Sequence, residues 1–301
     1  MGRWLAAASS ALVHVSAHPM LWVPGALAWV ASVGWIPFVA AVVRMPTQSE
    51  LTYFGAAMQT SGLWPLNLVL MAAGVVLIVT VAVGLVALGN AALDAELRGR
   101  PFEPIAAGRL FVTSLVGVLP VALVAFVLLI AVIAVAPGEF NRPQADPGPV
   151  LRIIGRLLPA LVVGAMVIVG TAALAGLAGR AATEARNVAA GVVGLPRLVR
   201  RVGVAGGVHV GVTAGLGAAY VVFSWLLVRV LWAPIGAQLL SGGSVDAWGV
   251  LLLVGFVAIW LCLVLAGGTL QAWGSATWVA LLHPRPVAAR PGRPQEASVD
   301  R

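Results

Sequence analysis

Residues 179–215 read GRAATEARNVAAGVVGLPRLVRRVGVAGGVHVGVTAG. This stretch leaves a strongly apolar segment at Gly179, crosses a polar patch and enters the next apolar segment through a series of glycines. Four of them are spaced four residues apart, namely Gly203, Gly207, Gly211 and Gly215. On a helix, this spacing aligns small residues on one stripe, where a neighbouring helix can approach closely. We call this stripe the packing ridge and predict a helix contact along it.

The polar patch of the same stretch carries charges that favour the membrane surface. Its arginines Arg197, Arg200 and Arg201 are predicted to contact lipid phosphates. Two acid–arginine sets, each four residues apart, are expected to pair along helix ends. We call these four residues the polar rim: Asp94 with Arg98, and Glu184 with Arg180.

The composition indicates a chain surrounded by lipid. Of its 301 residues, 61% are hydrophobic and only 9% are charged, whereas a soluble domain averages about 25% charged residues. So few charges could not cover a water-exposed surface of this size. The basic residues are all arginines, but they are scattered and have few aromatic neighbours, which argues against nucleic acid as a partner.

Six apolar runs each reach the roughly 20 residues that a helix needs to cross the hydrocarbon core. Strands of a membrane barrel would be shorter and would alternate polar with apolar residues. We therefore predict an all-α, polytopic transmembrane helical bundle with six spans. The predicted spans are residues 21–43, 63–88, 110–136, 157–178, 204–232 and 248–271.

The arginines also predict the orientation of the bundle. With a cytoplasmic N-terminus, 13 arginines fall in inside segments and five in outside segments, which is a clear positive-inside bias. We predict a multi-pass protein of the bacterial inner (plasma) membrane with both termini in the cytoplasm. Residues 1–283 are predicted to form one membrane domain, and residues 284–301 a disordered cytoplasmic tail.

Residues 3–18 allow two interpretations. As a helix, they place Trp4, Leu5, Ala8, Leu12 and Val15 on one face, which is typical of an amphipathic helix at the membrane interface. Alternatively, residues 1–17 are a cleaved signal peptide with a small-residue cleavage site. We favour the amphipathic helix, because cleavage with six spans in place would reverse the positive-inside bias.

An internal repeat of about 90 residues supports that interpretation. Gly89-Asn-Ala-Ala-Leu-Asp-Ala matches Gly179-Arg-Ala-Ala-Thr-Glu-Ala, and a third copy starts at Gly274 as Gly-Ser-Ala-Thr-Trp-Val-Ala. Each unit reads as an amphipathic helix followed by a helical hairpin. In the third unit, residues 188–202 form the amphipathic stretch, which Gly191, Gly194 and Pro196 are expected to weaken or break. The predicted three-fold repeat has its units at residues 3–90, 91–180 and 181–283.

One segment carries a family resemblance. The residues from Gly89 to Pro104, with Asp94 and the sequence Leu-Arg-Gly-Arg-Pro-Phe-Glu-Pro at their end, resemble a loose group of six-helix bacterial membrane families of unknown function. This group is similar to the membrane domain found beside some glycerophosphodiester phosphodiesterases. The resemblance implies a six-helix topology and carries over no catalytic residue.

Chemical motifs are scarce in the sequence. It has no HExxH, no Gly-x-Ser-x-Gly and no P-loop, and the lone Cys262 excludes an intrachain disulfide and any cysteine-based metal site. We expect no cofactor, no metal and no catalytic residue. The side chain of Arg229, which lies within a predicted span, is expected to extend to the membrane–water interface. The amides of Asn67, Asn90, Gln238 and Gln271 are expected to form hydrogen bonds between helices.

We therefore predict a non-enzymatic membrane protein. Its expected partners are membrane lipids, and either another membrane protein or further copies of itself. The alternative is a permease or a lipid-handling transporter with a groove beside the packing ridge. A membrane enzyme ranks third, because it would need converging acids, histidines or a metal cluster.

Overall fold

The structure, a computed structural model, describes residues 2–42, 53, 56–57, 60, 62, 66–140, 177, 180, 187–240 and 247–283. The described elements are all helical. In chain order, they are α1 (Gly2–Ala17), a 3-10 turn (Pro19–Leu21), α2 (Trp22–Trp29), a π-helical turn (Val30–Gly34), α3 (Trp35–Val42), α4 (Leu66–Leu97), α5 (Pro104–Phe140), α6 (Val188–Leu240) and α7 (Ala247–Leu282).

Five described helical segments are long and apolar enough to cross a membrane, as the hydrophobic runs predict. They are Pro19–Val42, Leu66–Leu97, Pro104–Val127, Val188–Gln238 and Ala247–Leu282. The remaining predicted span, residues 157–178, lies outside the described residues except for Leu177. The tail that begins at residue 284 also lies outside them.

Helix α7 is the centre of the described bundle and packs against α1, α2, α4 and α6. Helix α2 lies between α4 and α7, where glycines let the backbones meet. A Cβ atom on Gly268 of α7 would lie 2.6 Å from the Ala26 nitrogen, and one on Gly89 of α4 would lie 2.6 Å from the Pro24 oxygen. The contacts of α2 therefore require glycine on both neighbouring helices.

The packing ridge itself has no such contact in the described part of the chain. A Cβ atom on Gly207, Gly211 or Gly215 would have no described atom within 4 Å. A helix contact along the ridge therefore stays a prediction.

Helix α1 packs on the bundle through its small residues. Its buried residues are Ala7, Ala8, Ala11 and Val15, whereas Leu5 is 56% exposed and Leu12 is 60% exposed. The small alanines let α1 lie close to α7, where the Trp273 indole donates a hydrogen bond to the Ala8 carbonyl at 3.0 Å. The exposed Leu5 and Leu12 side chains leave the predicted contact with the membrane interface as a prediction, whereas Ala8 and Val15 of the same predicted face are buried in the bundle.

The stretches that we predict to be amphipathic in the second and third repeat units differ from that prediction. Helix α5 runs unbroken from Pro104, so residues 101–110 do not form a separate helix. Helix α6 continues through Pro196, where we expected a weak point, and is kinked instead at Gly203, with φ 55° and ψ −142°. L-residues rarely adopt this positive φ, and glycine adopts it without a steric penalty. The predicted boundary near residue 203 is therefore a glycine kink.

Substitution of Gly203 by alanine should lower the free energy of unfolding by about 1–3 kcal/mol, because the new side chain would strain the backbone at this φ. The matched control is Gly217→Ala in the same helix but off the packing ridge, where a Cβ atom meets no described residue. The control should be neutral or slightly stabilising. Unfolding in detergent, followed by tryptophan fluorescence, measures both, and equal effects would contradict the kink as the cause.

Candidate functional site: a buried polar network beside a cavity

A buried ion pair joins two distant parts of the chain. The Arg180 guanidinium pairs with the Asp94 carboxylate of α4, and both residues are almost fully buried, at 6% and 7% exposure. The Arg98 backbone nitrogen donates to the Asp94 carbonyl at 3.2 Å, and the predicted side-chain pair of these two residues stays a prediction. The structure therefore joins two of the four polar-rim residues, Asp94 and Arg180, through partners that spacing along one helix does not reveal. Glu184, the fourth residue of the polar rim, lies outside the described residues.

The ion pair continues into a set of hydrogen bonds between α4 and α7. Arg180 donates to the Ser275 hydroxyl at 3.1 Å, and Ser275 donates to Asn90 Oδ1 at 3.1 Å. The Gln271 amide donates to the same Asn90 oxygen at 3.3 Å, which confirms the predicted role of these two amides between helices. We call Asn90, Asp94, Arg180, Gln271 and Ser275 the polar network.

Three members of the polar network occupy equivalent places in the sequence. Asn90, Arg180 and Ser275 each directly follow the glycine of one of the three segments that we predict to be repeats, namely Gly89, Gly179 and Gly274. In the structure, Ser275 contacts both of the other two. Residues about 90 positions apart therefore meet at one place.

His209 of α6 lies beside the polar network and is fully buried. Its Nε2 is 3.1 Å from the Gly274 carbonyl, and its Nδ1 accepts a hydrogen bond from the Trp4 indole at 3.4 Å. One nitrogen therefore donates and the other accepts, which is the pattern of a neutral imidazole protonated at Nε2. His209 thus connects α1, α6 and α7.

Arg3 connects the same three helices through backbone carbonyls of α6 and α7. Its guanidinium donates to the Arg201 carbonyl, just before the kink of α6, and to the Leu281 carbonyl in the last turn of α7, both at 2.9 Å. Carbonyls at a helix end or before a break lack their usual partner along the helix. Arg3 therefore satisfies two such carbonyls and holds the start of α1 against α6 and α7.

A cavity of about 440 Å³ opens beside the polar network. One wall comes from a single face of α4 and another from α5, where the lining residues recur at helical spacing. These wall residues are Val79, Ala82, Val83, Val86, Ala87, Leu110, Ser114 and Val118. Trp29 and Trp278 line it as well. Most of the wall is therefore apolar.

The polar end of the cavity is formed by the network. Asn90, Arg180, Gln271 and Ser275 line it, together with Thr213 of α6. The Asn90 amide nitrogen and the Gln271 carbonyl oxygen form no hydrogen bond with the described chain. The cavity is therefore amphiphilic, with a polar end that still offers one amide donor group and one acceptor.

The other predicted site residues lie on the surface of the described bundle. The side chains of Arg197, Arg200 and Arg201 are exposed on the first segment of α6. Arg229 is also exposed and lies over the Trp225 ring, 5.5 Å from its centre. Neither the arginine cluster nor Arg229 reaches the polar network.

Sequence reasoning missed Ser275, His209 and Thr213 as site residues. The sequence signal that could have pointed to Ser275 is its position directly after Gly274, the glycine of the third predicted repeat segment. Because hydroxyl side chains are common in helices, this position alone did not indicate a role. His209 lies within an apolar run and has no partner nearby in sequence. Among the described residues, no group of three histidine, cysteine or acidic side chains is placed to hold a metal ion.

These features define a class of protein: an all-α chain with five described helices apolar enough to cross a membrane, and with a buried polar network beside an amphiphilic cavity. No family model, curated protein or solved structure matches this chain.

Proposed function

We propose that this chain is a multi-pass protein of the bacterial inner membrane that acts by packing with membrane lipids or partner membrane proteins, without catalysis. The apolar surface of its long helices carries this proposal. Leu70 and Ile78 of α4 are 61% and 68% exposed, and Leu251 of α7 is 59% exposed. Contiguous apolar surfaces of this kind meet lipid or another helix rather than water.

The proposal includes six spans in three repeated units. The contacts of Asn90, Arg180 and Ser275 support the repeat, because equivalent residues of related units are expected to meet around a common axis. The resemblance of residues 89–104 to six-helix bacterial membrane families belongs to the same proposal.

Both termini are proposed to lie in the cytoplasm. The positive-inside bias supports the cytoplasmic side. The contact of Arg3 with the last turn of α7 supports the placement of both ends of the membrane domain on the same side. With Cys262 replaced by serine, Ala6→Cys should react with an impermeant maleimide only from the cytoplasmic side. Trp248→Cys, at the start of α7, should react only from outside, and the reverse pattern would exclude the proposed topology.

A lipid-handling transporter is the second candidate, and the cavity beside the polar network favours it. After reconstitution into vesicles, a transporter of this kind should move a lipid from one leaflet to the other or from one vesicle to another. Protein-free vesicles supply the baseline, and no increase above it would remove this candidate.

Lipid retention by the arginine cluster tests the main proposal. We expect anionic phospholipid to remain bound to the protein in nanodiscs, because exposed arginines at the membrane surface each contribute about 1 kcal/mol of attraction to anionic lipid. The triple variant of Arg197, Arg200 and Arg201 to alanine should lose most of this lipid, as counted by native mass spectrometry.

The matched control replaces the same three arginines with lysine and keeps the charge. This control should retain the lipid. Equal retention by the alanine and lysine variants would contradict lipid binding by the cluster, and a stoichiometric protein partner retained in both would favour packing with another membrane protein.

A further inference from the structure

We propose that the cavity beside the polar network is a binding site for a single-chain amphiphile with an uncharged head that bears both hydroxyl and ester oxygens. This inference rests on the proposed location in the membrane and goes beyond it, because lipid packing on the outer surface requires no internal site. The chemical class follows from three properties of the cavity.

The first property is its size and length. Its volume of about 440 Å³ lies within the range of about 300–1,000 Å³ that is typical of small-molecule sites. Its wall on α4 runs from Val79 to Asn90, which is about 16 Å at 1.5 Å for each helical residue. The cavity is therefore long enough to hold a substantial part of one lipid chain.

The second property is the division between its walls and its end. The wall residues of α4 and α5 are almost all Val, Ala or Leu, with Ser114 as the exception. Most hydrogen-bonding groups of the lining lie near Asn90 and Gln271, about three turns along α4 from Val79, although Ser32 also lines the cavity. This polarity orients an amphiphile with its head at the network and its chain along α4.

The third property is the charge at the polar end. Arg180 lines the cavity, but its charge is already balanced by Asp94. A carboxylate or phosphate head would enter without a counter-charge of its own, and burying such an ion is costly. An uncharged head avoids this cost.

The unused groups of the network define what that head must provide. The Asn90 amide nitrogen is a donor and the Gln271 carbonyl oxygen is an acceptor. A glycerol ester matches both groups, because its ester oxygens accept and its free hydroxyls donate.

The experiment uses the full chain in phosphatidylcholine nanodiscs and a monoacylglycerol with a diazirine in its acyl chain. After illumination, residue-level mass spectrometry should place the crosslinks on cavity-lining positions of α4 and α5 such as Val79, Val83 and Val118. Crosslinks found only on outward-facing positions such as Leu77 and Ile78 would overturn the cavity site. They would leave the proposed packing with lipid intact, so the two failures can be distinguished.

Matched variants separate the cavity from the lipid-facing surface. Val83 lines the cavity and is buried, whereas Val81 of the same helix is 53% exposed and does not line it. Val83→Trp should abolish crosslinking in the cavity, and Val81→Trp should preserve it. Val79→Phe, at a less buried part of the wall, gives a second blocking variant if Val83→Trp does not fold. Crosslinking unchanged in a folded blocking variant would overturn the proposal.

The head group is tested in the same nanodiscs. Gln271→Leu should weaken monoacylglycerol binding by about tenfold, since one hydrogen bond contributes up to about that factor. A diazirine-labelled fatty acid should bind more weakly than the monoacylglycerol at a pH where its head is ionised. Tighter binding of the fatty acid would overturn the assignment of an uncharged head.

Discussion

Replacement of Arg180 by alanine, with Asp94 left in place, should lower the free energy of unfolding by about 3–5 kcal/mol. The substitution leaves a buried carboxylate without its counter-charge and removes the donor to Ser275. It should therefore disrupt contacts of both α4 and α7. Titration with a denaturing detergent, followed by tryptophan fluorescence, measures the change.

The control for this prediction is Arg100→Ala. Arg100 is exposed, and single exposed charges typically contribute at most about 1 kcal/mol. The double variant Asp94→Leu with Arg180→Leu should be more stable than Arg180→Ala alone, because it leaves no unpaired charge. A loss at Arg180 no larger than at Arg100 would contradict a buried ion pair.

A single methyl group on Gly268 should lower the free energy of unfolding by about 3 kcal/mol, at the upper end of the usual range for overpacking. The Cβ atom of Gly268→Ala would lie 2.6 Å from the Ala26 nitrogen and 2.7 Å from the Trp22 carbonyl oxygen. Both obstacles are backbone atoms, so no side-chain rotation can relieve the clash. Helices α2 and α7 would have to separate.

Gly255→Ala in the same helix is the matched control. A Cβ atom at Gly255 would meet no described atom within 4 Å, so this variant should be as stable as the original or slightly more stable. The same unfolding titration compares the two variants. Equal stability of both would show that α2 does not approach α7 at Gly268.

Local patterns predicted the helices well because a membrane-spanning helix depends on local composition. An apolar run of about 20 residues satisfies its own backbone hydrogen bonds in lipid, wherever the rest of the chain lies. Helix α5 begins at Pro104, because proline is tolerated in the first turn of a helix. The roles of Asn90 and Gln271 between helices also followed from the cost of an unpaired amide in hydrocarbon.

The choice of partners could not be predicted in this way. Two candidate arginines could neutralise Asp94, and the sequence favoured Arg98 because it lies one turn away on the same helix. The pairing with Arg180 depends on how α4 packs against a segment 86 residues later. The glycines raise the same problem, because a four-residue spacing aligns Gly207, Gly211 and Gly215 but does not say whether a helix faces them.

The sequence alone therefore determined an all-α chain of long apolar helices, since the length and composition of each run decide whether a helix is stable in lipid. Tertiary structure alone decided that Asp94 pairs with Arg180, that α2 and α7 meet at Gly268, and that a cavity lies beside Asn90. Each of these depends on distances between residues that are far apart in the chain, and local periodicity contains no information about such distances.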